Sequence, residues 1–256
     1  MMQSFGLDAF AYWNVSMPEP YGIPLGHLGS FLYAPPIALA FDWFDALEWW
    51  VFLWMWTALL VGTIIWMGWT PVGIAVAFAV PFVATDLYHG NIHLLLAAAI
   101  VLGFRHPWTW SFVLLTKPSL GVGLLWFVVR REWRELSIAL GATAVLCLVA
   151  LVLAPGLWAD WIELMRASLD PPQWRTAISV PYWLRIPLAA LLVIWGARTD
   201  RRWTVVVSAT LALPVLWFAG LAMLIGVLPE IRANARRHYP AAPTGLDSPA
   251  PVDAKA

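Results

Sequence analysis

The chain contains a series of long apolar runs separated by short polar or turn segments, and this pattern limits its fold more than any other feature. Several runs approach the ~20 residues that a helix needs to cross a bilayer. In lipid the backbone polar groups must be satisfied internally, so such runs fold as helices. The runs cover residues 46–67, 71–86, 91–104, 108–129, 134–153, 181–198 and 203–228. The sequence therefore predicts an all-α, polytopic integral membrane protein.

The distribution of charge predicts an orientation. Charged residues make up 12% of the chain, against roughly 25% in a soluble domain. No Lys or Arg precedes Arg105. Because short loops rich in Lys and Arg stay in the cytoplasm, we expect the amino-terminal segment to be external and the basic loops to be internal. The net charge is zero, and we expect neither a nucleic-acid partner nor a cofactor.

These patterns divide the chain into five segments. We predict an external loop at residues 1–45, transmembrane helices with one broken hairpin at 46–153 and a second external loop at 154–180. Further transmembrane helices at 181–228 and a disordered cytoplasmic tail at 229–256 follow. In the second loop apolar side chains recur at helical spacing, at Trp158, Trp161, Ile162, Met165 and Leu169. This spacing is typical of a helix in the membrane interface, and equally of a linker helix.

The run 108–129 carries a lysine followed by a proline, Lys117 and Pro118. Arg105 before the run and Arg130 after it both favour the cytoplasm, which a single crossing cannot satisfy. Proline interrupts helices, so the sequence favours a broken hairpin whose apex lies within the membrane. Pro214 divides the final run in the same way.

Several polar residues are expected near the outer face. The acid Asp8 lies in the first loop. One turn carries a cluster of four polar residues, Asp86, His89, Asn91 and His93. Two cations, Lys117 and Arg185, are expected at membrane depth. Such groups can accept a sugar joined to a lipid phosphate, although Arg185 could instead extend to the interface. Gly90 interrupts the histidine pair and no further Cys or Glu completes a ligand set, so we expect no metal site.

The segment from Asp86 to Leu140, with the later segments LAPGLWADWIELM and VPYWLRIPLAALLVIWGARTDRRW, closely resembles glycosyltransferase family eighty-seven. The resemblance implies a GT-C-like helical bundle with two external loops in the plasma membrane of a bacterium. It also implies transfer of a mannose-like hexose from a polyprenyl-phosphate donor to a lipid or glycan acceptor on the outer face. Direct displacement by the acceptor hydroxyl would invert the anomeric carbon.

The resemblance also assigns roles to residues. Asp8 and Tyr12 are similar to the family's Asp-x-x-x-Tyr element, which makes Asp8 the expected general base, and Tyr33-Ala-Pro-Pro is similar to the segment that closes the loop. Lys117 and Arg185 are expected to bind the donor phosphate. The expected substrate pocket comprises Tyr12, Tyr33, Asp86, His89, Asn91 and His93.

The chain departs from the family in two respects. His89 and His93 replace the commoner residues at their positions. The family's first transmembrane helix has no counterpart before Asp8, so we expect either a lost helix or a start codon assigned too late. Three alternatives stay open: a transporter, a non-catalytic scaffold and an inactive family member. A transporter would place polar sites at the midplane of two matching halves, and the sequence shows no internal repeat.

Overall fold

The computed structural model describes residues 5–17, 19–24, 26–168 and 180–238. In these residues the chain is helical and contains no β-strand, which confirms the all-α prediction. Leu169, the rest of the second external loop up to residue 179, and the segment 239–256 of the predicted tail lie outside the described residues.

The described part contains thirteen α-helices, several joined by 3-10 segments. Their bounds are α1 Leu7–Trp13, α2 Pro35–Phe41, α3 Trp49–Gly68, α4 Pro71–Ala79, α5 Pro81–His89, α6 His93–Gly103, α7 Trp110–Thr116, α8 Leu125–Arg130, α9 Trp133–Leu153, α10 Gly156–Ala167, α11 Tyr182–Arg198, α12 Trp203–Leu211 and α13 Val227–His238.

Among these helices α3 and α9 are long and apolar enough to cross a membrane, with 20 and 21 residues. Helices α4 and α5 pass the same test together but meet at 76°, so they make a third candidate if the bent pair is one span. The sequence predicts more crossings than this. Turns and prolines divide several of the other apolar runs, and the run 181–198 forms a single helix of 17 residues, α11. Two or three spans are therefore supported, and the multi-pass arrangement stays a prediction.

The run that carries Lys117 folds back on itself. Helix α7 ends at Thr116, Lys117 takes a non-helical conformation, and a 3-10 segment, Pro118–Leu124, leads into α8. Gly123 lies so close to the ring of Trp110 that a Cβ atom would not fit there. Residues this far apart along a straight helix would be separated by about 20 Å. The chain thus has the hairpin geometry that the proline predicts.

The final apolar run folds back in the same way. Helix α12 ends at Leu211, and a 3-10 segment, Ala219–Gly226, follows the break around Pro214. A Cβ atom at Gly226 would lie 3.2 Å from the side chain of Val206, so the two limbs pack closely. The core therefore contains two broken hairpins, which pack on each other and on α6 and α11.

The segment predicted as the first external loop is ordered by aromatic packing. Tyr12, Phe41 and Trp56 form a ring cluster that joins α1 and α2 to α3. The backbone N–H of Ala34 donates to the carbonyl of Leu115 over 3.0 Å. This bond fixes the loop beside the end of α7, close to the first helix break.

Helix α10 is the helix that the apolar spacing from Trp158 onward predicts. The Trp161 indole N–H donates to the Leu32 carbonyl over 3.2 Å, so α10 contacts the segment that precedes α2. The predicted tail is wrong in one part, because α13 continues to His238. The Arg232 guanidinium donates to the carbonyls of Met67 and Gly68 at the end of α3, and this contact anchors α13 to the bundle.

Candidate functional site

The turn between α5 and α6 brings Asp8 beside Asn91. Gly90 ends α5 with a φ of 68°, a left-handed conformation that glycine adopts without strain. A Cβ atom there would lie 2.7 Å from the Cβ of Ala9, so α1 approaches the turn closely. The Trp56 indole N–H donates to the Gly90 carbonyl over 2.8 Å and fixes the turn. Asn91 consequently lies next to Asp8, although 83 positions separate them.

Asn91 is oriented by its neighbours on both sides. Its Oδ1 accepts a hydrogen bond from the backbone N–H of Ile92 over 2.7 Å. An amide N–H can only donate, so the Nδ2 group must face the other way. It donates to Oδ2 of Asp8 over 2.6 Å. The carboxylate therefore has one fixed donor, and its other oxygen is directed away from that bond.

The Asp8 carboxylate is half-buried on α1, outside the candidate spans. Burial raises its pKa above the ordinary value, and the hydrogen bond from Asn91 partly opposes this rise. A carboxylate with a raised pKa is a stronger base. Asp8 can therefore accept a proton better than an exposed aspartate can.

Tyr12 and Tyr33 meet in the interior of the first loop. Their hydroxyl oxygens are 3.0 Å apart and their rings are stacked. Burial, followed by the nearby Tyr33 and Asp8, raises the pKa of Tyr12 well above its ordinary value, so this phenol stays protonated. The Tyr21 hydroxyl donates to the Tyr33 carbonyl over 2.8 Å. The two elements that resemble the family motif thus contact each other, as a loop closed on itself requires.

A second group of polar side chains forms a continuous chain of hydrogen bonds. Oδ1 of Asp86 lies 2.8 Å from Nδ1 of His93, and Nε2 of the same ring lies 2.8 Å from Nζ of Lys117. Asp86 is completely buried and His93 is 2% exposed. Buried charges are costly unless they are paired, and here a carboxylate and an ammonium balance each other through the imidazole.

Lys117 occupies the break between α7 and the 3-10 segment. Its own N–H and carbonyl are both bonded, to Val113 and Leu120, so the break leaves neither group unsatisfied. The side chain is half-buried. Within the described residues its ammonium makes one hydrogen bond, to His93, and an ammonium has three N–H donors. Two donors therefore remain for another group.

The two groups form one electrostatic cluster. Asp8 interacts electrostatically with His89, His93 and Asp86, and also with Lys117. The cluster thus combines a half-buried carboxylate from α1 with a cation from a helix break. An arrangement of this kind can take a proton from one reacting atom and stabilise negative charge on another.

Arg185 lies elsewhere, at the second break. It is 4% exposed, which contradicts the alternative that it extends to the interface. Its guanidinium donates to the carbonyls of Val180, Leu211, Leu213 and Pro214 over 2.7–3.1 Å. These bonds use four of the five guanidinium N–H groups. Its role at a donor phosphate stays a prediction, while its contacts are those of a residue that holds a helix break.

His89 is half-buried at the end of α5, with its ring 5.6 Å from that of Tyr88. In the described part of the chain no hydrogen bond joins it to Asp86 or Lys117, which contact the two ring nitrogens of His93. In the described ranges no group of three His, Cys, Asp or Glu side chains is placed to bind a metal ion.

Sequence reasoning missed two features of the site. It grouped Asp86 and His93 with the substrate pocket, whereas the structure places them behind Lys117, below the surface. It also gave no role to Trp56, which fixes the turn. Only the spacing of Asp86 and His93 on either side of Gly90 could have indicated that these two side chains contact each other. Comparisons of the chain with protein-family models, with curated proteins and with solved structures found no match.

Proposed function

We propose that this chain is an integral-membrane glycosyltransferase of family eighty-seven. It transfers a mannose-like hexose from a polyprenyl-phosphate donor to a lipid or glycan acceptor on the outer face of the membrane. The observation that carries the proposal is that the half-buried Asp8 and the Lys117 ammonium at a helix break belong to one electrostatic cluster. The sequence likeness to the family assigns the base and the phosphate ligand to these same two residues.

The chemistry follows from the two ends of the cluster. The acceptor hydroxyl oxygen forms a bond to the anomeric carbon as the bond from that carbon to the phosphate oxygen breaks. The bonding electrons pass to the phosphate, where a fixed cation in a site shielded from water stabilises the new charge. Lys117 has this role in the proposal. The hydroxyl proton passes to Asp8, whose pKa is raised by burial.

Asp8→Asn tests the proposed base, because it preserves the shape of the side chain and removes its basicity. We expect transfer of radiolabelled mannose from polyprenyl phosphate mannose to lipid acceptors, in membranes that contain the full chain, to be abolished. Asp45→Asn, the same change at an exposed position of the first loop, is the matched control and should transfer normally. Equal transfer by Asp8→Asn and the control would exclude Asp8 as the base.

The proposed orientation is tested by cysteine labelling in a Cys147→Ala background. Ser30 lies in the first external loop and Ser168 follows α10, whereas Thr199 follows α11 at the expected cytoplasmic end. Single cysteines at the first two positions should react with an impermeant maleimide in intact cells, and a cysteine at Thr199 only after lysis. The opposite pattern would reverse the orientation and place Asp8 in the cytoplasm.

A further inference from the structure

Three ionisable side chains from three separate elements form an unbroken chain in the interior. Asp86 belongs to the last turn of α5, His93 begins α6, and Lys117 lies in the break after α7. Both heavy-atom separations are 2.8 Å, and two of the three side chains are almost wholly removed from solvent. A polar chain at this depth is costly unless each member has a partner.

The charges determine where the protons lie. A lysine ammonium has no lone pair, so Nε2 of His93 must accept the hydrogen bond from Lys117. A neutral imidazole carries one proton, which is then on Nδ1 and is donated to the Asp86 carboxylate. With Asp86 ionised and Lys117 protonated, His93 is the neutral Nδ1–H tautomer, held between an anion and a cation.

The imidazole is enclosed and hydrogen-bonded. The ring is 2% exposed, and its Nδ1 is held by the bond to Asp86. Gly220 of the second broken hairpin lies near the ring edge, where an added Cβ atom would be at an ordinary contact distance of 3.7 Å from Nε2. Lys117, in contrast, has four rotatable methylene groups. In the described residues its ammonium has one hydrogen-bond acceptor, and that acceptor belongs to the buried ring.

We propose that Asp86 and His93 are positioning residues for Lys117. They hold one N–H of the ammonium so that the other two point at a phosphate group, the anion that this cation receives. The inference rests on the proposed function for the identity of the phosphate ester. It adds that Asp86 and His93, which contact neither the sugar donor nor the sugar acceptor, fix the direction of the Lys117 N–H groups. A fixed donor contributes more than a mobile one because no reorganisation is needed on binding.

The first measurement requires no ligand. In the ¹⁵N-histidine-labelled full chain in nanodiscs, long-range ¹H–¹⁵N spectra distinguish the two neutral tautomers from the cation, and His93→Gln identifies the signal. We expect His93 to be the Nδ1–H tautomer. Asp86→Asn keeps an acceptor oxygen and should preserve it, whereas Asp86→Leu should release an Nε2–H population. An Nε2–H form or an imidazolium in the unmodified chain would overturn the proposal.

The second measurement uses farnesyl phosphate as the probe. His93→Leu removes the acceptor for Lys117, and we expect its affinity for farnesyl phosphate to fall about 10-fold or more, the usual effect of losing a hydrogen bond to a charged group. His93→Gln offers an oxygen near the Nε2 position and should recover most of the affinity. His106→Leu, the same change at an exposed histidine, is the matched control.

The two proposals fail in different ways. If His93→Leu binds farnesyl phosphate as tightly as His106→Leu, the positioning role is wrong, whether or not sugar is transferred. If the tautomer and the affinities agree with expectation but no sugar is transferred by the unmodified chain, the glycosyltransferase function is wrong and the positioning of Lys117 for a phosphate stands.

Discussion

The two helix breaks of the core each hold a cation, buried in one case and half-buried in the other, and the cations have different partners. At the break after α12, the Arg185 guanidinium donates to four backbone carbonyls. At the break after α7, the Lys117 ammonium donates to a side chain, and the backbone of the break bonds within its own segment. A broken helix in an apolar interior leaves carbonyls without partners, and the planar guanidinium can satisfy several of them at once.

The comparison distinguishes a cation that stabilises the fold from one that keeps N–H donors for a ligand. The Arg185 donors are directed at the backbone, so removal of the side chain should affect the fold. In the described part of the chain, two of the three N–H donors of Lys117 make no hydrogen bond. Removal of the Lys117 side chain should therefore weaken the binding of an anion. Position in the sequence does not distinguish the two residues, since both lie in apolar runs close to a proline.

The largest effect is expected for Arg185→Met. Loss of the guanidinium leaves the buried carbonyl of Leu213 and three part-buried carbonyls without this donor. A buried acceptor without a donor costs about 1–3 kcal/mol, so the free energy of unfolding should fall by about 2 kcal/mol or more. Thermal unfolding of detergent-solubilised protein, followed by size-exclusion chromatography, measures the change. Arg198→Met alters an exposed arginine at the end of the same helix and should have little effect. Equal melting temperatures in the two variants would contradict the structural role.

Lys117→Met should reduce sugar transfer by about 10²-fold, the usual effect of losing one group that stabilises charge in the transition state. The variant also leaves Asp86 without a countercharge and should be less stable. Adding Asp86→Asn removes that charge, so the double variant should recover the melting temperature and not the transfer. Normal transfer in the single variant would remove Lys117 from the reaction, and the contrast between the breaks would disappear.

The smallest effect is expected for Asn91→Leu, which tests whether the site at the first break depends on an ionised Asp8. The hydrogen bond from Asn91 lowers the pKa of Asp8 and opposes the effect of burial. Without it that pKa rises further, so the base is protonated up to a higher pH. The acidic limb of the pH profile of kcat/KM should move to higher pH, whereas Asn14→Leu, near the end of α1, should leave it in place. A limb that does not move would show that Asp8 does not titrate in the reaction.

Local sequence predicted the helices and their interruptions well. The prolines at 118 and 214 interrupt apolar runs, and the structure folds back at both. The spacing of Trp158, Trp161 and Ile162 predicted α10. These features depend on backbone chemistry and on periodicity within a few turns, which neighbouring residues supply.

The features that sequence reasoning did not determine depend on distant contacts. The predicted disordered tail began too early, at residue 229, because α13 is held by a hydrogen bond between Arg232 and the end of α3. The number of crossings stays a prediction, since composition does not show where a run bends, as α4 and α5 do. In both cases the path of the chain is not contained in its hydropathy.

The sequence by itself determined that this chain is helical, that its apolar runs break at two prolines, and that one cation, Lys117, adjoins one of those breaks. Only the tertiary structure decided what each cation contacts. Lys117 meets a histidine 24 positions away, and Asp8 meets an amide 83 positions away. Helical periodicity extends over a few turns, whereas such contacts depend on which faces of which helices pack together. The chemistry of the site follows from that packing.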